Sequence, residues 1–399
     1  MGAVDAGLLD SVAGELAAGI DGTTDAVPPP GVIIAVRRGG VTTSVARGDR
    51  QRLTGTRPLD GSAPGSLSRL DPPLPMTTAT QLDAASITKL VATTAAVMRL
   101  VDGGTLALDA AAASFLPARG DGAKASVTVE DLLLHRGGLQ PWWPLYYDAR
   151  TPDEGIALAA ALPLGAAPRT VRSYSDLGFV LLGRVVEVVS GQPLADAVRT
   201  LVHAPVGMTQ TGYGRPTHDG AVAAGSLGDL AEYRMIRTGE PYPVPQAVAD
   251  FDGWRDHVLV GEVNDGNAFH TFGGCSGHAG LFTTVDDLLT FGDAVSDSLR
   301  GDGVWSRETM WRFLTPGPDA EQALGFRHEV VAAGGRRLAV VGHPGYTGSA
   351  VGIVPELGAT IVLATNRLHV DGLPTPHPPM WRHLLRRVLP ALAADTPTR

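Results

Sequence analysis

Residues 85–90 read ASITKL, set between a polar stretch and one of the most apolar helical runs of the chain. Among 32 basic residues only two are lysines, Lys89 and Lys124. Lys89 follows Ser86 by three positions, and residues three apart on a helix share a face with Cβ atoms about 5–6 Å apart, so the amine reaches the hydroxyl. Serine is a poor nucleophile until a base takes its proton, and lysine is that base only when neutral. Burial disfavours the charged amine and lowers its pKa, whereas arginine stays protonated. A chain that otherwise uses arginine has kept lysine where a proton acceptor is needed. The competing structural reading makes Ser86 a helix N-cap and Lys89 a solvated first-turn residue. Against it stands the run behind Lys89, in which Leu90, Val91, Val97, Met98 and Val101 recur at helical spacing and predict a largely buried helix over about 86–103. No Gly-x-Ser-x-Gly elbow surrounds any serine, so the commonest alternative hydrolase signature is missing.

Length and composition bound the setting of this chemistry. A chain of 399 residues, 44% hydrophobic, is long enough for a large core. A formal charge of -9 excludes the basic field that a nucleic acid or an anionic membrane demands. The first twenty residues carry Asp5, Asp10 and Glu15 and no basic residue, which is wrong for a secretory leader, and no run of about 18 apolar residues predicts a membrane span. The single cysteine, Cys275, forbids an intramolecular disulfide and suits a reducing compartment, so a cytoplasmic protein is expected. The eleven histidines show no metal-ligand spacing, and neither metal nor organic cofactor is expected.

Patterning along the chain predicts an α+β fold. GVIIAVRRGG and VTTSVARGD read as two strands of a hairpin turning at Gly39-Gly40, and residues 51–76, rich in Pro, Gly and Ser, as a long loop. Helical pieces broken by loops follow between about 113 and 270. After Gly280, Thr284 and Asp287 stand at the positions of a capping box before an apolar helix. RLAVVGH, SAVGIVPE and ATIVLATN read as three strands, and PMWRHLLRRVLPALAA as a closing helix. An antiparallel sheet built from both chain ends and flanked by helices is expected, with residues 1–112 and 271–399 as one discontinuous catalytic domain and 113–270 as a mainly helical inserted subdomain.

Two more stretches join ASITK: YSDLGFVLLG at 174–183, with a tyrosine and an acid ahead of an apolar helix, and GHPGYTGS at 342–349, a glycine-rich turn between strands. With these three in order, and with LLLHRGGL at 132–139 and GGCSGHAGLFTTVDDLLTF at 273–291, nearly the whole chain resembles the penicillin-recognising serine hydrolases. The likeness is strongest to their class C β-lactamase-like branch, with its D-aminopeptidases, low-molecular-weight penicillin-binding proteins and family VIII esterases. The resemblance implies a β-lactamase/transpeptidase-like fold, Ser86 as acylating nucleophile, Lys89 as proton acceptor, Tyr174 as a second base that relays the proton to the leaving group, and an oxyanion site formed by the backbone amides of Ser86 and Tyr346. Substrate contacts fall to Asp176, His343 and Gly345.

The chain departs from the resembled pattern at two places. Asp176 replaces the usual Asn, exchanging a group that donates and accepts for one that only accepts when ionised, and is free to orient Lys89 instead. His343 stands where the Lys of K-T-G is usual, so the permanent cation that grips a substrate carboxylate is missing near neutral pH. The expected activity is therefore carboxylester hydrolysis of a small-molecule acyl substrate. D-alanyl peptidase or β-lactamase activity, acyl transfer, and a silent ligand-binding role are the alternatives. Trp142, Trp143, Tyr146 and Tyr147 form an aromatic cluster assigned mainly to packing; His135, His278 and Cys275 are read as structural.

Overall fold

The computed structural model describes residues 4–20, 25–63, 65–116, 122–214, 216 and 221–394. The chain opens with helix α1 (Ala6–Ala18), then strands β1 (Gly31–Arg38), β2 (Val41–Thr54), β3 (Ser68–Pro75) and β4 (Leu82–Asp83). Residues Lys89–Thr94 wind as a π-helix that continues into α2 (Ala95–Asp102), and every residue of Lys89–Thr94 is buried, as the apolar run predicts. The middle of the chain holds α3 (Val129–Leu133), α4 (Pro152–Ala161), α5 (Asp176–Ser190), α6 (Leu194–Val198), α7 (Ala204–Val206) and α8 (Leu230–Thr238), with short strands β5 (Gly212–Tyr213), β6 (Ala224–Leu227) and β7 (Val258–Val260). It closes with β8 (Leu281–Thr283), α9 (Val285–Arg300), α10 (Arg307–Leu314), β9 (Arg327–Ala333), β10 (Arg336–Pro344), β11 (Ala350–Val354), β12 (Ala359–Thr365) and α11 (His377–Ala394).

Seven strands form one antiparallel sheet in the order β3-β2-β1-β12-β11-β10-β9, joining the two chain ends where Val32 faces Thr365 and Arg38 faces Ala359. The central strands are apolar on both faces because both faces are covered. Ile33 and Ala35 pack into a cluster shared with α2, α5 and α9, while Val32, Ile34 and Val36 pack against α1 and α11. Residues of 113–270 and of the sheet thus share one hydrophobic cluster. The α+β architecture expected from the sequence is present.

Three details differ from the expectations. The stretch 51–76 is not all loop: β2 runs through Thr54, and β3 adds an outer strand that tolerates Pro72 and Pro73 because only one edge of it is paired. Strand β9, partly exposed along most of its length, extends the other edge through a turn at Gly334 and Gly335, both at positive φ. The capping box at α9 is half made: Thr284 Oγ1 accepts from Asp287 N at 3.3 Å, but the Asp287 carboxylate turns to Gln210 N and Thr211 Oγ1 instead.

A second sheet, β4-β8-β5, sets the residues just before Ser86 beside those just after the SGHAG stretch, which aligns two parts of the site. Among the described residues no single helix is long and apolar enough to cross a membrane, and no group of three or more His, Cys, Asp or Glu is placed to hold a metal ion.

Candidate active site

Ser86 sits on a turn between β4 and the buried helix, and the turn is held from three sides. Asp83 Oδ1 accepts from Ala85 N at 2.8 Å, Asp83 Oδ2 accepts from Asn264 N at 2.7 Å and Nδ2 at 2.9 Å, and Thr347 Oγ1 donates to Asp83 O at 2.8 Å. These bonds hold Ala85 at φ 44°, a conformation unfavourable for a residue with a Cβ, directly before the serine.

Lys89 is fully buried, yet its ammonium donates to two oxygens and is paired with a carboxylate. Nζ lies 2.9 Å from Ser86 Oγ, 3.1 Å from the His278 carbonyl and 2.7 Å from Asp176 Oδ1. The Tyr174 ring centroid is 5.1 Å from the same nitrogen. Asp176 opens α5, behind an N-cap in which Ser175 Oγ accepts from Gly178 N at 3.2 Å and donates to Gln140 O at 2.6 Å. His135 Nδ1 accepts from Ser175 N at 3.1 Å, and its ring packs 4.5 Å from that of Tyr174. The LLLHRGGL stretch therefore steadies YSD. His278 is locked in turn: Nε2 meets Asp265 Oδ1 at 2.9 Å and Nδ1 meets Ser276 Oγ at 2.8 Å.

Electrostatics here run against the simple expectation for a buried lysine. Burial does disfavour the Lys89 ammonium, but the Asp176 carboxylate and then Tyr174 outweigh it, and the pKa ends above the ordinary lysine value. The resting site thus holds a lysine cation. Burial raises the Tyr174 pKa, Lys89 opposes that rise and Asp176 adds to it, while hydrogen bonding to Ser86 and Lys89 favours ionisation. His135 is held well below the usual histidine range by burial and then by the Lys89 charge, so it is neutral and free to accept through Nδ1.

A cavity of about 390 Å³ opens over Ser86 and is lined by Tyr174, Asp176, Trp142, Tyr242 and Tyr346, and by the carboxylates of Asp229, Glu232 and Asp265. Of the aromatic cluster at 142–147 only Trp142 reaches this cavity; Tyr146 and Tyr147 pack against Phe251 and Trp254. Glu232 accepts from Tyr146 Oη at 2.8 Å and Gly266 N at 2.7 Å, and burial with Asp265 and Asp229 nearby holds its carboxyl well above the usual range.

The structure brings Ser86, Lys89, Tyr174 and Asp176 together but sets the HPG triplet differently. His343 does not line the cavity with Ser86. Its ring lies 6.0 Å from that of Tyr174, its Nδ1 donates to Pro344 O at 2.7 Å, and burial, with the Lys89 charge, holds its pKa to about 3. Gly345 donates to Ser349 O at 2.6 Å, and a Cβ there would meet Ala84 O at 2.7 Å, so glycine lets the turn close onto the nucleophile segment. The Tyr346 side chain is half exposed beneath the Arg367 guanidinium, 5.0 Å from the ring, and Arg367 Nε donates to Tyr346 O at 2.9 Å. Among the described residues neither Ser86 N nor Tyr346 N donates to a protein acceptor. Asp83, Glu232, Asn264 and Asp265 escape a reading of the sequence. They lie in no short motif, and only the fold gathers them.

The beta-lactamase family model matches residues 21–379. The chain is 30% identical over 327 residues to a putative D-alanyl-D-alanine carboxypeptidase of Escherichia coli (strain K12), covering 75% of this chain and 72% of that protein. It is 29% identical over 363 residues to an N-acetylmuramyl-L-alanine amidase of Bacillus subtilis (strain 168), covering 86% and 78%. An octameric penicillin-binding protein homologue from Pyrococcus abyssi superposes with a TM-score of 0.68 at 21% identity, over 98% of this chain and 81% of its own, a likeness of fold alone. By the span of the family match, the order of its motifs and the antiparallel sheet they sit on, the chain belongs to the beta-lactamase family and is a serine hydrolase.

Proposed function

We propose that the protein hydrolyses small acyl esters through a covalent acyl-enzyme on Ser86. The Lys89 ammonium, paired with Asp176 at 2.7 Å, loses a proton to solvent, and the neutral amine takes the proton of Ser86, 2.9 Å away. Ser86 Oγ bonds to the acyl carbon while the amides of Ser86 and Tyr346 receive the developing oxyanion. The bond to the leaving group breaks as Tyr174 gives that group a proton and takes from Lys89 the one that came from Ser86, which restores the neutral amine, and water then repeats the sequence to release the acid.

The observation that carries the ester reading is the HPG turn: His343 is neutral and stands outside the cavity over Ser86, so that turn offers no cation to a substrate carboxylate, and a neutral ester needs none. A second reading, hydrolysis of an amide or a D-alanyl peptide, draws support from the names of the curated relatives.

The test is a set of kcat/KM values for a p-nitrophenyl ester, a penicillin and a D-alanyl-D-alanine peptide, with intact-mass analysis after a fluorophosphonate. The expected result is one adduct, mapped to Ser86, and a clear preference for the ester. A preference for the anionic peptide would transfer the assignment to the second reading, and an adduct on another residue would remove the mechanism.

A further inference from the structure

His135 stands at φ 56°, one of three residues other than glycine at positive φ among the described residues; another, Ala85, directly precedes the nucleophile. Such a backbone is unfavourable for a residue with a Cβ and persists where its surroundings fix it, most often beside a working site. Here the residue is 4% exposed, and its own amide donates to Leu132 O at 3.1 Å. From that bend it reaches the chain on both sides of Tyr174. Its carbonyl accepts from Ser173 N at 2.9 Å, and its Nδ1 accepts from Ser175 N at 3.1 Å. Between those two amides the Tyr174 ring packs on the imidazole, with centroids 4.5 Å apart and planes inclined at 40°. The Phe179 ring of α5 lies 5.2 Å from the same imidazole and 5.9 Å from Lys89 Nζ, so tyrosine, imidazole and lysine share one packed corner.

The direction of the second bond fixes the state of the ring. A backbone amide only donates, so Nδ1 holds a lone pair and the neutral imidazole carries its hydrogen on Nε2. Burial, and then the Lys89 charge, keep it neutral. Beyond Ser175 the chain is pinned backbone to backbone, where Asp176 N donates to Pro141 O at 2.9 Å. Ahead of that point the amides of Ser173 and Ser175 both end on His135, and Tyr174 is the residue in the middle of the grip.

We propose that His135 is the positioning residue for proton delivery by Tyr174: it holds the amides on either side of the tyrosine and bears its ring, and so keeps the phenol between Lys89 and the departing group. The proposal rests on the role given to Tyr174 above. It has a chemical signature that packing alone does not. A p-nitrophenolate departs near neutral pH without a proton, whereas an alkoxide needs one as its bond breaks. Displacing the phenol therefore slows an alkyl ester more than an aryl ester of the same acid, while a general loosening of the fold slows both alike.

The test compares kcat/KM for p-nitrophenyl butyrate and ethyl butyrate, which share one acyl group, in wild type, His135→Gly, His135→Asn, Tyr174→Phe and the combination of His135→Asn with Tyr174→Phe. Glycine keeps the left-handed backbone and removes both the acceptor and the ring. Asparagine also tolerates that backbone and bears an oxygen on Cγ where histidine bears Nδ1, so it removes the ring alone. The aryl-to-alkyl ratio should rise by about tenfold or more in His135→Gly and in Tyr174→Phe, and by less in His135→Asn. In the combined variant it should rise no further than in Tyr174→Phe, because the residue through which His135 acts is already disabled. If His135→Gly melts early, His135→Asn and the combined variant carry the comparison. A ratio unchanged in the His135 variants while Tyr174→Phe raises it, or a further rise in the combined variant, would overturn the proposal and leave the tyrosine's role standing. A ratio unchanged in Tyr174→Phe itself would remove the tyrosine's role and this proposal with it.

Discussion

Lys89 is both legible and misleading as a residue. Its scarcity and its spacing from Ser86 pick it out, but burial alone predicts a depressed pKa, and the outcome is opposite because a carboxylate 87 positions away in the chain is folded to within 2.7 Å. No local pattern carries that distance. The consequence is a reaction governed by the Lys89–Asp176 pair. Asp176→Asn removes the charge that stabilises the ammonium while leaving an oxygen to accept from it, so burial then dominates and the Lys89 pKa falls. Removing an opposite charge at this range lowers a lysine pKa by about 1–3 units. Activity requires the neutral amine, so the ascending limb of the kcat/KM profile should move to lower pH by at least about one unit in Asp176→Asn. In Lys89→Arg the rate should drop by about 10²–10⁴ at every pH. An unmoved limb in Asp176→Asn would mean that another group sets the profile. The carboxylates Glu232 and Asp265 mark the limit of reading at this scale, since nothing in YRMIRTG or VNDGN around them signals that they meet over a serine.

Elements bring these residues to position, and one close contact between elements beside the site is made of glycines. Where α5 passes the SGHAG turn, a Cβ on Gly277 would lie 2.1 Å from Phe179 O and 2.9 Å from Gly183 N, and one on Gly183 would lie 3.1 Å from Gly277 Cα. That turn is tied to the nucleophile helix twice, by Thr93 Oγ1 donating to Gly277 O at 2.6 Å and by Lys89 Nζ donating to His278 O at 3.1 Å. Gly277→Ala should therefore cost about 1–3 kcal/mol, the usual range for overpacking, and also lower turnover by pulling the His278 carbonyl from Lys89. Gly212→Ala, where a Cβ meets nothing within 4 Å, is the control and should leave both nearly unchanged. Urea midpoints and ester turnover for the two variants decide it; equal stabilities would show that the turn gives way freely. The elements that a reading of the sequence finds are those with strong periodicity, β10 to β12 and the long helices. Those it loses, β3 and β9, are partly exposed edge strands: β3 is interrupted by Pro72 and Pro73, and β9 runs Val-Val-Ala-Ala without alternation.

Across the whole molecule, the seams between segments are closed by neutral histidines. His369 joins β2 to the middle of the chain, its Nε2 accepting from Arg52 N and Leu53 N at 2.9 Å each while Nδ1 meets Gly225 O at 3.1 Å. His203 bonds Val91 O at 3.2 Å beneath the nucleophile helix. Burial holds His203 and His369 to about 4 and His343 and His377 to about 3, against an ordinary value of 6.5. Below about pH 6.5 the unfolded chain therefore binds protons that the folded chain refuses, and stability falls as pH drops, by up to about 1.4 kcal/mol per pH unit for each imidazole. Glu232 acts in the other direction. Its folded carboxyl keeps a proton that the unfolded one releases, so it costs stability as pH rises from acid through neutral. With His135, also held well below the usual range, five imidazoles outweigh one carboxyl on the acid side. Urea unfolding should thus give stability that falls steeply from pH 6.5 toward pH 4 and declines gently from neutral to about pH 8, and Glu232→Gln should remove the gentle decline and make the acid-side fall steeper. A profile flat between pH 6.5 and 4 would mean that these imidazoles take up protons without unfolding, and that the seams they close are open to water.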